Sequence, residues 1–248
     1  MLASKLCRQM QYISDLHLEQ RISIPIIPKC GEYLALLGDI GNPFSKSYST
    51  FIHNVSQSYK HVFILAGNHE YWHKDIPMHH VNTQIHSVAN KHPNVHFLNN
   101  TVHHLDEYAI IGSTLWSKST PYVNKINVSN VSYNFKNDSY QNDICNIYNK
   151  NVKWLNDAIT CNSNKKIIVL THYLPSYKLI VEKYQNPIDS IFFDRYASHL
   201  DHLIKHPVKY WLCGHSHCVH TTTINDVKCG INAVGKDGQL ECTTVHLD

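Results

Sequence analysis

Five short polar motifs follow one another along the chain: Asp15-Leu16-His17, Gly38-Asp39, Gly67-Asn68-His69-Glu70, Thr171-His172 and Gly214-His215-Ser216-His217. Together they offer carboxylate oxygens, imidazole nitrogens and an amide oxygen. That mixture suits Mn, Fe or Zn better than Mg or Ca, which prefer oxygen alone. Four of the motifs directly follow an apolar run, and Asp15-Leu16-His17 follows a weaker one. Such runs read as buried strands, and a strand delivers its last polar side chains to one rim of a sheet. Five rims brought together make a cage for two metal ions, the apparatus that attacks a phosphate ester. In Asp15-Leu16-His17 and His215-Ser216-His217 the candidate ligands sit at i and i+2, which in an extended segment places both on the same side.

The elements that must position these residues are legible in outline. The sequence predicts a strand over 11–14, a buried strand over 33–37 stopped by Gly38, a helix over 49–60 carrying Phe51, Ile52 and Val55, and a strand over 61–66 stopped by Gly67. Strand, loop, strand, helix, strand argues for a layered α/β fold. A helix over 76–91, a strand over 95–98, a turn at Asn99-Asn100 and a long buried strand over 108–116 follow. Residues 117–150 are rich in Asn, Ser and Tyr, lack a period, and read as a lid or cap, part loop and part helix. Beyond it we expect a helix over 151–160, a strand over 166–170 delivering His172, a helix over 193–206, and a strand over 208–213 delivering His215 and His217. Residues 219–247 alternate apolar and polar types and read as antiparallel strands closing a second sheet. No repeat or linker divides the chain, so residues 1–248 are expected to form one domain.

The bulk properties agree with a globular protein. Its 248 residues are 43% hydrophobic and 17% charged, with a formal net charge of +3 that neither predicts nor excludes a polyanionic partner. No stretch has signal-peptide character or the length to span a bilayer, which points to a cytoplasmic location without membrane contact. The eight cysteines never form a Cys-x-x-Cys pair and are expected as reduced thiols. With 20 histidines in the chain, any single one is a poor clue. Those outside the motifs, His61, His96 and His103 among them, are read as surface or half-buried side chains rather than ligands.

The ordered set resembles the calcineurin-like metallophosphoesterase superfamily, in particular its small bacterial-type phosphoesterases. The resemblance rests on Ser14-Asp15-Leu16-His17-Leu18-Glu19, Gly38-Asp39-Ile40-Gly41-Asn42, Gly67-Asn68-His69-Glu70-Tyr71-Trp72, Gly112-Ser113-Thr114-Leu115-Trp116-Ser117 and Asn232-Ala233-Val234-Gly235. It implies a four-layer α/β/β/α sandwich of two mixed sheets flanked by helices, with the metal site at the C-terminal rims of the strands. It implies that Asp15, His17, Asp39 and His217 hold one divalent ion, that Asp39, Asn68, His172 and His215 hold a second, and that Asp39 bridges them. Mn is the expected metal, with Fe or Zn as alternatives. A metal-bridging hydroxide would attack phosphorus in line, with His69 near the leaving group as proton donor rather than ligand.

The substrate is argued from departures. Protein Ser/Thr phosphatases carry Asp-Arg-Gly where this chain has Asn42-Pro43-Phe44, and an Arg soon after Gly-Asn-His-Glu where this chain has Tyr71-Trp72-His73. Arginine is the natural clamp for a monoester dianion, and the chain holds only Arg8, Arg21 and Arg195. This favours a phosphodiesterase acting on a nucleotide or other small diester. Tyr133 and Tyr140 in the excursion are candidates for stacking on a base, against the simpler reading that they pack the lid onto the body. A phosphomonoesterase or nuclease with the same centre, and an interaction module that binds metal without turnover, are the alternatives.

Overall fold

Each strand of the first sheet divides its side chains between two cores. In Tyr33–Leu37 every residue is buried. Leu34 and Leu36 join a cluster with helix residues Phe51, Ile52 and Ile85, whereas Tyr33, Ala35 and Leu37 pack in a middle layer against Ile110, Ile168 and Leu212. A continuous apolar run is what a strand covered on both faces requires. The computed structural model describes residues 8–73, 75–118, 139–181, 193–235 and 238–247.

The elements run β1 (Gln9–Ile13), β2 (Tyr33–Leu37), α1 (Lys46–Ser56), β3 (His61–Leu65), α2 (Met78–Ala89), β4 (Val95–Phe97), β5 (Thr101–Leu105), β6 (Tyr108–Ser113), α3 (Ser139–Cys161), β7 (Lys166–Thr171), β8 (Val208–Cys213), β9 (Val219–Ile224), β10 (Val227–Asn232) and β11 (Thr244–His246). The first sheet has the order β11-β1-β2-β3-β4, and the second β5-β6-β7-β8-β10-β9. The β1 to β4 run and the β6-β7-β8-β10 run are parallel; β11, β5 and β9 are antiparallel edges. Three hydrophobic clusters, one between the sheets and one on each outer face, make this the expected α/β architecture of two mixed sheets flanked by helices. No helix among the described residues is long and apolar enough to cross a membrane.

Local chemistry sets the helices. Ser45 caps α1 by accepting the Tyr48 N–H at 3.1 Å, and Tyr48, Phe51, Ile52 and Val55 form its buried face. Full burial of a side chain such as Phe51 or Ile52 stabilises by about 1.5–3 kcal/mol. In α2, Val81, Ile85, Val88 and Ala89 repeat at helical spacing against the same sheet.

Several expectations are corrected. No α-helix forms over 193–206; a single 3-10 turn at 193–195 gives way to other turns. The segment is held in turns: Leu174 bridges Ala197 in parallel fashion, Ser198 N–H donates to the Leu174 carbonyl, and Leu200 N–H donates to that of Pro175. Its Leu200, Leu203 and Ile204 are nonetheless buried, so helical spacing marked a buried side and not a helix. The strand from Tyr108 ends at Ser113, where the Ser113 hydroxyl accepts the Leu115 N–H and Leu115 turns to φ 49°. The hairpin partner β5 was not foreseen. Of the terminal strands, β9 and β10 lie in the second sheet, but β11 pairs with β1 in the first. The final helix is longer than expected, because α3 takes in the end of the proposed excursion. Cys30 and Cys242 are not reduced thiols but a disulfide, with Cα atoms 6.0 Å apart across 212 residues.

Candidate metal centre

Every motif lies where a parallel strand ends. Asp15 and His17 follow β1, Asp39 follows β2, Asn68 and His69 follow β3, His172 follows β7, and His215 and His217 follow β8. The two sheets therefore contribute to one rim. Asp15, His17 and His217 form a group whose ligand atoms all lie within 4.8 Å of one another; Asp39, His172 and His215 form a second. Asp39 also groups with His17 and His69 within the same limit, so it stands between the two.

In the first group, His17 Nε2 and His217 Nε2 are 3.1 Å apart, and His217 Nε2 is 3.3 Å from Asp15 Oδ1. Asp15 Oδ2 accepts from Ser14 Oγ and from the His215 N–H at 2.9 Å. Its Oδ1 is buried and faces His217 Nε2 without a well-formed hydrogen bond, an oxygen that a cation held between the two satisfies. In the second group, His172 Nε2 is 3.0 Å from Asn68 Oδ1, 3.2 Å from His215 Nδ1 and 3.5 Å from Asp39 Oδ2. His172 Nδ1 lies 2.9 Å from the Leu37 carbonyl, to which it donates. That bond leaves Nε2 as the lone-pair atom facing the cluster.

Electrostatics favour a cation here. Burial, then the neighbouring charges of Glu70 and Asp15, push the Asp39 carboxyl well above the usual carboxylate range. Asp15 goes the other way: burial raises it, but the adjacent His217 imidazole and the Ser14 hydroxyl hold it lower. Burial drives His172 down to about 4 and His215 well below its ordinary value, so both imidazoles are neutral with lone pairs available. These donors fit two divalent ions of the Mn, Fe or Zn type.

The route to convergence differs from the i, i+2 expectation. Asp15, His17, Asp39, His215 and His217 all have left-handed backbone, with φ of 57°, 47°, 52°, 69° and 47°. Such conformations cost about 1–2 kcal/mol per non-glycine residue and concentrate at functional sites. The chain turns tightly at each strand end instead of staying extended. As a result His215 and His217 point to different groups, while Asp15 and His17 share one. Glycines make room: a Cβ on Gly67 would stand 2.2 Å from Asp39 Oδ1, and Gly38 needs its φ of +88°.

His69 sits at the mouth, its side chain 18% exposed, with Nε2 4.0 Å from Asp39 Oδ2 and Nδ1 3.8 Å from Glu19 Oε1. The Trp72 ring stacks on it at 3.5 Å. Burial lowers its pKa. Tyr133 lies outside the described residues, and so does the side chain of Tyr140.

Two acidic residues quoted in the motifs were given no role from sequence. Glu70 is fully buried and accepts the backbone N–H groups of Asp39, Ile40, Gly41 and Gly67 at 2.9, 2.7, 3.3 and 2.8 Å. Glu19 Oε1 is 3.2 Å from His17 Nδ1 and also faces His69. An acid two residues past a candidate ligand is the available signal. A fourth trio, His61, His96 and His103, also comes together, away from the motifs, although the sequence reads these histidines as surface or half-buried side chains.

An uncharacterised protein of Acanthamoeba polyphaga mimivirus is 31% identical over 255 residues, covering 92% of this chain and 91% of its own. Two solved structures share the fold. The phosphopantetheinyl hydrolase PptH of Mycobacterium tuberculosis matches with TM-score 0.66 at 13% identity, covering 93% of this chain and 90% of that one. TT1561 of Thermus thermophilus matches with TM-score 0.54 at 13% identity, over 97% and 99%. A family model described as calcineurin-like phosphoesterase matches residues 12–219, and the chain belongs to that family.

Proposed function

We propose that the chain is a dinuclear-metal phosphodiesterase acting on a nucleotide or another small phosphodiester. The observation that carries this is the position of Asp39, shared between an Asp15/His17/His217 side and a His172/His215 side of one rim. In this reading Asp15, His17, Asp39 and His217 hold one ion, and Asp39, Asn68, His172 and His215 hold the other. When bound, the ions supply Lewis acidity, acidifying water and offsetting the charge that gathers on the phosphoryl oxygens.

The chain's own residues do the rest. Asp39 fixes the spacing of the pair. His69, held by Trp72 at the mouth, keeps a proton for the departing oxygen. Diester preference draws support from two of the three arginines. Arg21 is committed to the carbonyls of Leu16 and Gly235, and Arg8 to Asp106 at 2.9 Å. Neither is placed as a clamp for a dianion. Residues 117–150 are our candidate for a cap over the mouth, with Tyr133 and Tyr140 as its stacking side chains.

The test compares bis-p-nitrophenyl phosphate with p-nitrophenyl phosphate, using metal-stripped protein resupplied with Mn²⁺, wild type beside Asp39→Asn. Diester cleavage that needs both Mn²⁺ and Asp39 is expected. Preferential monoester cleavage overturns the diester assignment, and no cleavage of either with metal bound favours a binding module. His69→Ala is expected to keep both ions and slow turnover. Loss of an ion in that variant would make His69 a ligand, as its place near His17 and Asp39 allows. Tyr133→Ala and Tyr140→Ala are expected to raise nucleotide KM; unchanged values remove the stacking role.

A further inference from the structure

We propose that His61, His96 and His103 form a separate binding site for a late divalent transition ion of the Zn²⁺ type. One ring nitrogen from each lies within 4.8 Å of the other two, with His61 Nδ1 only 2.8 Å from His96 Nε2. Tetrahedral zinc at 2.0–2.1 Å from each imidazole holds its nitrogens about 3.3 Å apart. That value falls between the closest pair and the outer limit, so small ring movements suffice.

The fold explains why three imidazoles meet here. Side chains alternate across a strand. His61 shares a face of β3 with Phe63 and Leu65, which pack in the layer between the sheets. His103 shares a face of β5 with Leu105, which packs against the same layer. His96 pairs in register with Phe63 on β4. β4 ends the first sheet and β5 ends the second, so the histidines close the middle layer at its open edge, where aliphatic residues fill it elsewhere. The Phe63 ring lies beneath them, 5.5 Å from His96 and 5.3 Å from His103. The His96 and His103 rings are 4.0 Å apart.

Location separates this trio from the catalytic rim. His61 opens β3, whereas Asn68 and His69 follow its end. At about 3.3 Å per strand residue the two places are roughly 15 Å or more apart. All three histidines are half-buried, which leaves a coordination position open to water. Burial and mutual repulsion keep the rings neutral: His96 is lowered to about 4 and His103 is lowered as well. An uncharged three-imidazole set selects Zn²⁺, Ni²⁺ or Cu²⁺ over Mn²⁺ or Mg²⁺. Bound there, the ion ties the edge of one sheet to the edge of the other.

The experiment equilibrates metal-stripped full-length protein with Zn²⁺, desalts it, and counts ions per chain by mass spectrometry, for wild type, His96→Gln and His103→Gln. Each variant is expected to carry one ion fewer than wild type while keeping wild-type turnover with Mn²⁺. Equal Zn²⁺ content in wild type and a folded variant overturns the site. A second readout does not depend on the variants folding. Anomalous diffraction from Zn²⁺-soaked wild-type crystals is expected to show a peak bounded by the three rings, and a peak at the catalytic rim with none here overturns it equally. Because the count reads metal and not turnover, failure here is distinct from failure of the phosphodiesterase reading.

Discussion

The carboxylate of Glu70 accepts the backbone N–H of Asp39 at 2.9 Å, and three more amides at or near that strand end complete its shell. A buried acid thus shapes the loop that presents Asp39. Burial pushes its pKa up, and the amides of Gly67, Ile40 and Gly41 pull it back.

Glu70→Ala leaves four N–H groups without this acceptor. Each buried unsatisfied donor costs about 1–3 kcal/mol, so destabilisation of about 3 kcal/mol or more is expected. Urea melts of the metal-free protein check this apart from any loss of metal. A melt within about 0.5 kcal/mol of wild type would show that water or another group replaces the carboxylate.

Gly67→Ala addresses the same corner sterically. Its Cβ would meet Asp39 Oδ1 at 2.2 Å and Asp39 N at 2.6 Å. Displacement of the shared carboxylate by about 1 Å is expected to lower kcat/KM by about 100-fold. Steady-state kinetics at saturating Mn²⁺ provide the comparison.

Glu19→Gln tests the outer support of His17. With the carboxylate gone, His17 Nδ1 loses its charged partner, and affinity for one of the two ions should fall by about 10–100-fold. Thermal stability of the metal-free protein should barely move. Calorimetric Mn²⁺ titration separates the two effects.

The thiols divide by environment. Burial raises Cys213 well above its ordinary value and Cys229 to about 12. Because both shifts are upward, these groups stay protonated throughout the neutral and mildly alkaline range. Iodoacetamide at pH 8 is expected to label exposed Cys161 and to spare both until the protein is denatured, as peptide mapping would show.

The Cys30–Cys242 disulfide closes a loop of 212 residues. The chain-entropy account places its effect at up to about 5 kcal/mol. Cys30→Ser should lower Tm without reductant and match wild type with it. Coincident melts in both conditions would show that the bridge contributes no stability.

Legibility of the fold followed solvent exposure. β2 and β3 are apolar throughout because both faces are covered, and the sequence states this directly. β5 hid because His103-His104 breaks its alternation and its own residues are all exposed or half-buried. Leu200, Leu203 and Ile204 imitate a helix because a set of turns buries the same spacing. β11 and the disulfide join residues more than 200 positions apart, where local pattern carries no information. In the site, residue types pointed to the cluster, but the function of Glu70 depends on amides about 30 positions earlier and is silent in composition.

The rim draws Asp15, His17, Asp39 and Asn68 from one sheet and His172, His215 and His217 from the other. The gap between the two sets is therefore a property of how the sheets are stacked, and Phe63, Ile110 and Leu212 in the middle layer set that stacking. A change of volume deep in this layer would shift one half of the ligands against the other as a unit. The separation of the two sets of side chains can thus be tuned by residues that lie outside the rim.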